Sequence, residues 1–208
     1  MNSSAQQFRN LHRQHETLLL GNVWDAKSAM VYEQLDYKAI GTSSAAAAEA
    51  LGYKDGENMP FDEYLFLVKR IKASTSLPFT VDIEGGYGDT PQQVVKNIKQ
   101  LAAMGVAGVN IEDSVVSDSG RSILAPMVFA EKLDKIIKRV RKENEDIFIN
   151  VRCDAWLLGL PNAREEAMNR IPLYERAGAD GIFLPCITSP DDIRAAVNIS
   201  GLPVNVMC

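Results

Sequence analysis

The chain has 208 residues, 46% hydrophobic and 24% charged, with a formal net charge of −5. This composition suits one soluble domain with a substantial core, expected to span residues 1–208. It shows no basic stripe for nucleic acid, no apolar stretch long enough to cross a bilayer, and no secretory signal in residues 1–15.

Seven short apolar runs punctuate the chain. They are Leu18–Gly21, Ala39–Gly41, Phe79–Val81, Gly108–Ile111, Ile147–Val151, Gly181–Leu184 and Val204–Met207. Their length and lack of charge predict parallel strands buried on both faces. Amphipathic segments lie between them. Pro60–Thr75 carries Phe61, Tyr64, Leu65, Val68 and Ile71 at helical spacing. Thr90-Pro91 predicts a helix start, with Thr as N-cap and Pro at the first position, and that helix stops near Gly105. Pro126–Asn144 repeats the design, and Ser189-Pro190 opens another helix. Two near-copies, 104–109 and 176–182, each read as a helix end, a glycine cap and a direct entry into a strand.

This alternation predicts a (β/α)8 TIM-type barrel with seven strands visible and the C-terminal αβα portion missing. A doubly wound open sheet is the alternative, but its glycine-rich phosphate turn is absent after the first run, where the chain reads Gly21-Asn22-Val23-Trp24-Asp25. Polar residues sit instead at the ends of several runs, as at the mouth of a barrel.

The third run ends in Asp82-Ile83-Glu84-Gly85-Gly86-Tyr87-Gly88. Residues two apart on a strand share a face, so Asp82 and Glu84 are expected side by side. Glu112 ends the next run. Adjacent strands are ~4.8 Å apart, which lets the three carboxylates converge on one divalent ion. Hard oxygen ligands suit Mg²⁺ or Mn²⁺, and with both histidines in the N-terminal segment zinc is disfavoured. The competing reading is solvated carboxylates or ion pairs with Arg152, which ends the fifth run. Arg152 could stabilise a carboxylate or a developing enolate, pair with Glu112 or Asp154, or do both. Thr42-Ser43-Ser44 opens an alanine-rich helix and serves either as an anion site or as plain N-capping. Asp55 lies on a loop at the same mouth; Asp-Gly alone is only a turn signal. Trp24 walls the pocket or packs. The cysteines Cys153, Cys186 and Cys208 are odd in number and lack metal-type spacing, which fits a reduced, cytoplasmic setting. Cys153 and Cys186 read as packing thiols.

Six motifs in order carry a family resemblance: Asn22–Ala26, Gly41–Ser44, Ala50–Glu57, Asp82–Gly88, Asn110–Asp113 and Asn150–Ala155. Together they resemble the isocitrate lyase / phosphoenolpyruvate mutase superfamily over residues 17–207. The resemblance implies an α/β barrel whose eighth helix is swapped between subunits, hence a homo-oligomer (dimer or tetramer) if that helix exists. It implies Mg²⁺ at Asp82, Glu84 and Glu112, largely through water. It also implies a 2-oxo acid or enolpyruvate substrate, with its carboxylate at Thr42 and Ser43 and its enolate oxygen near the metal and Arg152. Asp55 matches a loop aspartate that contacts the reacting group, Trp24 and Asn110 match pocket residues, and Asp25 matches a carboxylate behind the ligands. Two departures stand out. The usual Asp-x-Asp is here Asp-x-Glu. The loop Ser114–Ser122 lacks the catalytic Cys-Gly-His of the lyase branch.

These features predict a Mg²⁺-dependent lyase or mutase-like enzyme that makes or breaks a C–C or P–C bond at C3 of a small 2-oxo or 2-hydroxy carboxylate through an enolate. The alternatives are phosphonomutase or hydrolase chemistry on phosphoenolpyruvate or phosphonopyruvate, and a carboxylate-binding barrel without catalysis.

Overall fold

A computed structural model describes residues 3–117 and 119–207. The first half contains α1 (Ser4–Leu11), β1 (Leu20–Val23), α2 (Ala26–Gln34), β2 (Ala39–Thr42), α3 (Ser44–Ala50), α4 (Phe61–Lys72), β3 (Phe79–Asp82) and α5 (Pro91–Ala103). The second half contains β4 (Gly108–Glu112), β5 (Ser114–Ser117), β6 (Gly120–Ile123), α6 (Pro126–Lys142), β7 (Phe148–Arg152), α7 (Ala163–Arg176), β8 (Gly181–Leu184), α8 (Pro190–Ile199) and β9 (Val204–Val206).

All seven apolar runs form strands. They lie in one sheet in the order β1-β2-β3-β4-β7-β8-β9, with every neighbouring pair parallel. Strand order thus follows chain order with no reversal, which excludes the doubly wound alternative. β2 and β3 are buried at every position, as strands covered on both faces require.

The sheet is strongly curled, and α1 shows by how much. Phe8 forms one buried cluster with Ala39 of β2, Ala107 before β4 and Phe148 of β7, and Leu20 of β1 packs against it. At ~4.8 Å per strand, β1 and β7 would stand ~19 Å apart in a flat sheet, beyond the reach of one phenylalanine. His12, just past α1, stacks on Phe148 with ring centroids 4.7 Å apart. Seven parallel strands therefore curl into a half-barrel, with α1 packed across the starts of β1, β2, β4 and β7. Between β1 and β9 no pairing exists among the described residues.

The local sequence writes most of the boundaries. Thr90 caps α5 in a reciprocal box with Gln93, and Pro91 occupies the first turn; Ser189 caps α8 ahead of Pro190. Gly105 (φ +79°) and Gly178 (φ +97°) follow α5 and α7 in the left-handed conformation, turning the chain at once into β4 and β8.

The 114–123 segment departs from expectation. It is an antiparallel hairpin, β5–β6, with Ser114 opposite Ile123 and Ser117 opposite Gly120. It pairs with no other strand among the described residues.

Candidate active site

The C-terminal ends of β3, β4 and β7 bring Asp82, Glu112 and Arg152 to one mouth, since Asp82 pairs in register with Asn110 and Glu112 with Arg152. A buried hydroxyl relay positions Asp82. Its N–H donates to Thr42 Oγ1 (2.8 Å), Tyr64 Oη lies 2.8 Å from Thr42 Oγ1, and Tyr64 O–H donates to the Asp82 carbonyl (2.8 Å). The Asp82 carboxylate accepts from Ser44 Oγ (3.1 Å) and Arg152 Nη1 (3.4 Å).

Glu84 does not stand beside Asp82 on a strand. β3 ends at Asp82, and Glu84 has φ +50°, so the two-residue alternation has already stopped. Its carboxylate turns to the N–H of Glu57 (3.0 Å) and the hydroxyl of Tyr87 (3.3 Å). Glu112 has an oxygen toward each of two guanidiniums. Oε1 accepts from Arg121 Nη1 and lies 2.8 Å from Ser114 Oγ, while Oε2 lies 3.0 Å from Arg152 Nη1. The latter contact lacks hydrogen-bond geometry, so Oε2 is a buried oxygen with no hydrogen-bond partner.

Arg152 is clamped by Asp154, with Nε to Oδ1 at 2.6 Å and Nη2 to Oδ2 at 3.2 Å. Asp154 is fully buried, and its N–H donates to Asp113 Oδ1 (2.9 Å). Asp113 accepts in turn from Tyr174 (2.6 Å) and Arg170 (3.2 Å), both on α7. The guanidinium at the mouth is thus fixed from below by a buried polar network. Of the sequence alternatives for Arg152, the structure shows the ion pairs with Asp154 and Glu112, made at the mouth.

Burial dominates the electrostatics. It pushes Glu84 up to about 7, with Asp55 and Asp82 adding to the effect. It pushes Glu112 up to about 8, although Arg152 pulls the other way. Asp82 is raised by burial too, against Arg152. Burial alone would lower Arg152, but Asp82, Glu112 and Asp154 outweigh it and raise the guanidinium further. The mouth holds more negative charge than its two arginines neutralise.

Among the described residues, no three His, Cys, Asp or Glu side chains converge closely enough to hold a metal ion. Asp82, Glu84 and Glu112 share the mouth, yet each is turned to its own partners, unlike the converging triad expected from adjacent strand ends. The donor chemistry still fits a hard divalent cation held mainly through water: carboxylates short of positive charge, hydroxyls, and the orphaned Oε2 of Glu112. Beside them opens a cavity of about 360 Å³ lined by Glu57, Glu84, Glu112, Ser114, Val115 and Lys132.

Other candidates lie as follows. Asp55 reaches the mouth and accepts from Arg121 Nη2 (2.7 Å). Thr42 is buried inside the relay, and Ser43 is the N-cap of α3, accepting from the N–H of Ala46 (3.3 Å). Asn110 accepts from Asn150 (2.9 Å) within the barrel interior, two residues below Glu112. Asp25 caps α2 in a reciprocal box with Ser28. Trp24, 42% exposed, follows β1 at the same end of the sheet. Cys153 is fully buried, as a packing thiol should be, whereas Cys186 is exposed, which departs from that reading. Cys208 lies outside the described residues.

The sequence reading assigns no site role to Arg121, Ser114, Glu57, Tyr64, Arg170 or Tyr174, and it places Ser44 and Asp113 only within the motifs Thr42-Ser43-Ser44 and Asn110–Asp113. For Arg121 a signal existed: two short runs around Ser117–Gly120 have the outline of a hairpin. Nothing local marks Arg170, which sits mid-helix yet is only 2% exposed.

A half-barrel of parallel strands with carboxylates and a clamped arginine at its C-terminal mouth defines an α/β-barrel type of site. The chain matches the family model described as phosphoenolpyruvate phosphomutase over residues 8–208. A solved structure from Burkholderia cenocepacia J2315, provisionally assigned as a phosphonomutase, is 37% identical with a TM-score of 0.92, covering 100% of this chain and 85% of that one. Rv1998c of Mycobacterium tuberculosis H37Rv, itself uncharacterized, is 32% identical over 96% of this chain and 73% of its own length. The 2-methylisocitrate lyase of Salmonella typhimurium LT2 is 28% identical over 98% of this chain and 70% of its own. The chain therefore belongs to the phosphoenolpyruvate phosphomutase family, within the phosphoenolpyruvate mutase/isocitrate lyase superfamily. Its named relatives are lyases, mutases and decarboxylases.

Proposed function

We propose that the protein is a divalent-cation-dependent lyase or mutase-like enzyme that makes or breaks a bond at C3 of a small 2-oxo or 2-hydroxy carboxylate through an enolate. The reading rests on Arg152, whose guanidinium is held rigid by Asp154 and stands between Asp82 and Glu112. A fixed positive charge in a buried mouth stabilises an oxyanion without reorganising when the charge develops. Arg152 would bind the 2-oxo oxygen and keep its charge at every working pH. Asp82, Glu84 and Glu112 would hold Mg²⁺ or Mn²⁺, which when bound polarises the same oxygen as a Lewis acid. The start of α3 at Ser43 would receive the substrate carboxylate through backbone N–H groups, because the Thr42 hydroxyl is engaged in the relay. Asp55, which accepts from Arg121 Nη2 at the mouth, would meet the departing or migrating group. The buried surround would exclude water from the enolate.

Oxalate mimics a pyruvate enolate and provides the test. Saturating oxalate with Mg²⁺ should raise the thermal midpoint; no shift would sink the enolate reading. Asp82→Ala should abolish the shift, and an unchanged shift would remove Asp82 from the cation site. A second reading is favoured by the identity to the Burkholderia structure: phosphonate chemistry on phosphoenolpyruvate or phosphonopyruvate. Phosphonopyruvate turnover separates it from C–C cleavage. Oxalate binding without turnover of either substrate class would mark a binding barrel instead.

A further inference from the structure

Arg121 joins the end of β4, the residues just after β7 and the Asp55 loop. It projects from β6 of the hairpin, with its side chain only 17% exposed. Nη1 donates to Glu112 Oε1 and to Ser114 Oγ (3.0 Å), and lies 3.6 Å from Asp154 Oδ2; Nη2 donates to Asp55 Oδ2 (2.7 Å). The Asp55 loop also packs directly on the hairpin, since a Cβ on Gly56 would meet Val116 at 2.8 Å.

Arg121 holds Oε1, and Arg152 Nη1 stands 3.0 Å from the unpartnered Oε2, so a divalent cation that approaches Oε2 meets both guanidiniums unless one of them withdraws. Arg152 is the harder to move. It is strand-borne and doubly bonded to Asp154, which is itself locked by Asp113. Arg121 rides on a two-stranded hairpin that no third strand supports among the described residues, a unit of marginal stability on its own. Its other anchor, Asp55, is 42% exposed. A divalent cation near Glu112 would also repel a guanidinium a few ångströms away, and such repulsion is strong in a poorly solvated mouth.

We propose that Arg121 is the exchangeable cation of this mouth: a positioning residue that holds Glu112 and the hairpin together in the cation-free chain, and is displaced from Glu112 when a divalent cation binds. Cation loading and hairpin mobility are then two readings of one equilibrium. The inference rests on the cation site of the proposed function but not on any particular reaction.

Mn²⁺ titration by electron paramagnetic resonance tests it without an activity assay. Arg121→Gln should bind Mn²⁺ severalfold more tightly than the unaltered chain, because a competitor is gone. Arg121→Lys, which keeps the charge but cannot span Glu112 and Asp55 as a fork, should fall between the two and serves if Arg121→Gln does not fold. Lys132→Gln is the charge-matched control: Lys132 lines the same cavity but donates to the carbonyl of Gly85 (3.0 Å) rather than to Glu112. In the unaltered chain, Mn²⁺ should speed amide exchange across the hairpin, and in Arg121→Gln it should not. Equal Mn²⁺ affinity in Arg121→Gln and the unaltered chain, or equal tightening by Lys132→Gln, overturns this inference alone. No Mn²⁺ binding by any of the proteins overturns the cation site itself, and this inference with it.

Discussion

Glu84 shows how one backbone angle decides the behaviour of a carboxylate. At φ +50° it leaves the strand and points into a buried corner, where it accepts two hydrogen bonds and makes no ion pair among the described residues. Burial raises it from 4.5 to about 7. The folded chain therefore holds a proton there that the unfolded chain has already released. The stability tied to that proton is complete below pH 4.5 and is lost as pH rises through about 7. Glutamine imitates the protonated form. In chelator, Glu84→Gln should match the unaltered chain near pH 4.5 and exceed it above about pH 8, by at most ~3 kcal/mol. Urea unfolding at the two pH values measures this. If the unaltered chain gains stability from pH 5 to pH 8 without a divalent cation, the burial argument fails.

At the scale of elements, the interior of the barrel is tied by amides rather than filled only with aliphatic side chains. Asn150 of β7 donates to Asn110 of β4 (2.9 Å), and Asn205 of β9 donates to Asn150 (3.1 Å) across the intervening β8. Gly181 of β8 makes that crossing possible. A Cβ there would lie 2.8 Å from Asn150 Oδ1 and 3.0 Å from the Phe148 ring. Gly181→Ala should therefore displace both and cost ~1–3 kcal/mol, read as a lowered urea midpoint at unchanged slope. Gly52→Ala is the contrast: its Cβ would meet nothing within 4 Å, and only its φ of +81° opposes the change. Equal losses at the two sites would remove packing as the cause at Gly181.

For the whole molecule, α1 ties together the starts of strands that are not neighbours in the sheet. Arg9 donates to the carbonyl of Ile147 (3.1 Å), and Phe8 packs with Phe148 at 5.3 Å between ring centroids. Phe8→Ala should cost ~3–5 kcal/mol. Because Phe8 touches residues from several strands, unfolding should remain one cooperative transition. A second transition assigned to residues 3–19 would show instead that α1 is an independent appendage.

Much of this was legible in the chain itself. The seven strands, the capped helices and the glycine entries into β4 and β8 are local signals: period, cap chemistry and left-handed turns act over a few residues, so the sequence carries them intact. The placement of Asp82, Glu112 and Arg152 at one end of the fold also follows from their positions at the ends of apolar runs, because parallel strands end on the same side. What the tertiary structure alone decided is where each charge finds its partner. The turn at Glu84 cancels the strand alternation that promised a carboxylate pair. Arg121 comes back from a hairpin to cover Glu112. Arg170 reaches Asp113 from a helix 57 residues later. Such pairings depend on distances across the fold and on how little water remains there, and neither is written in the spacing of residues along the chain.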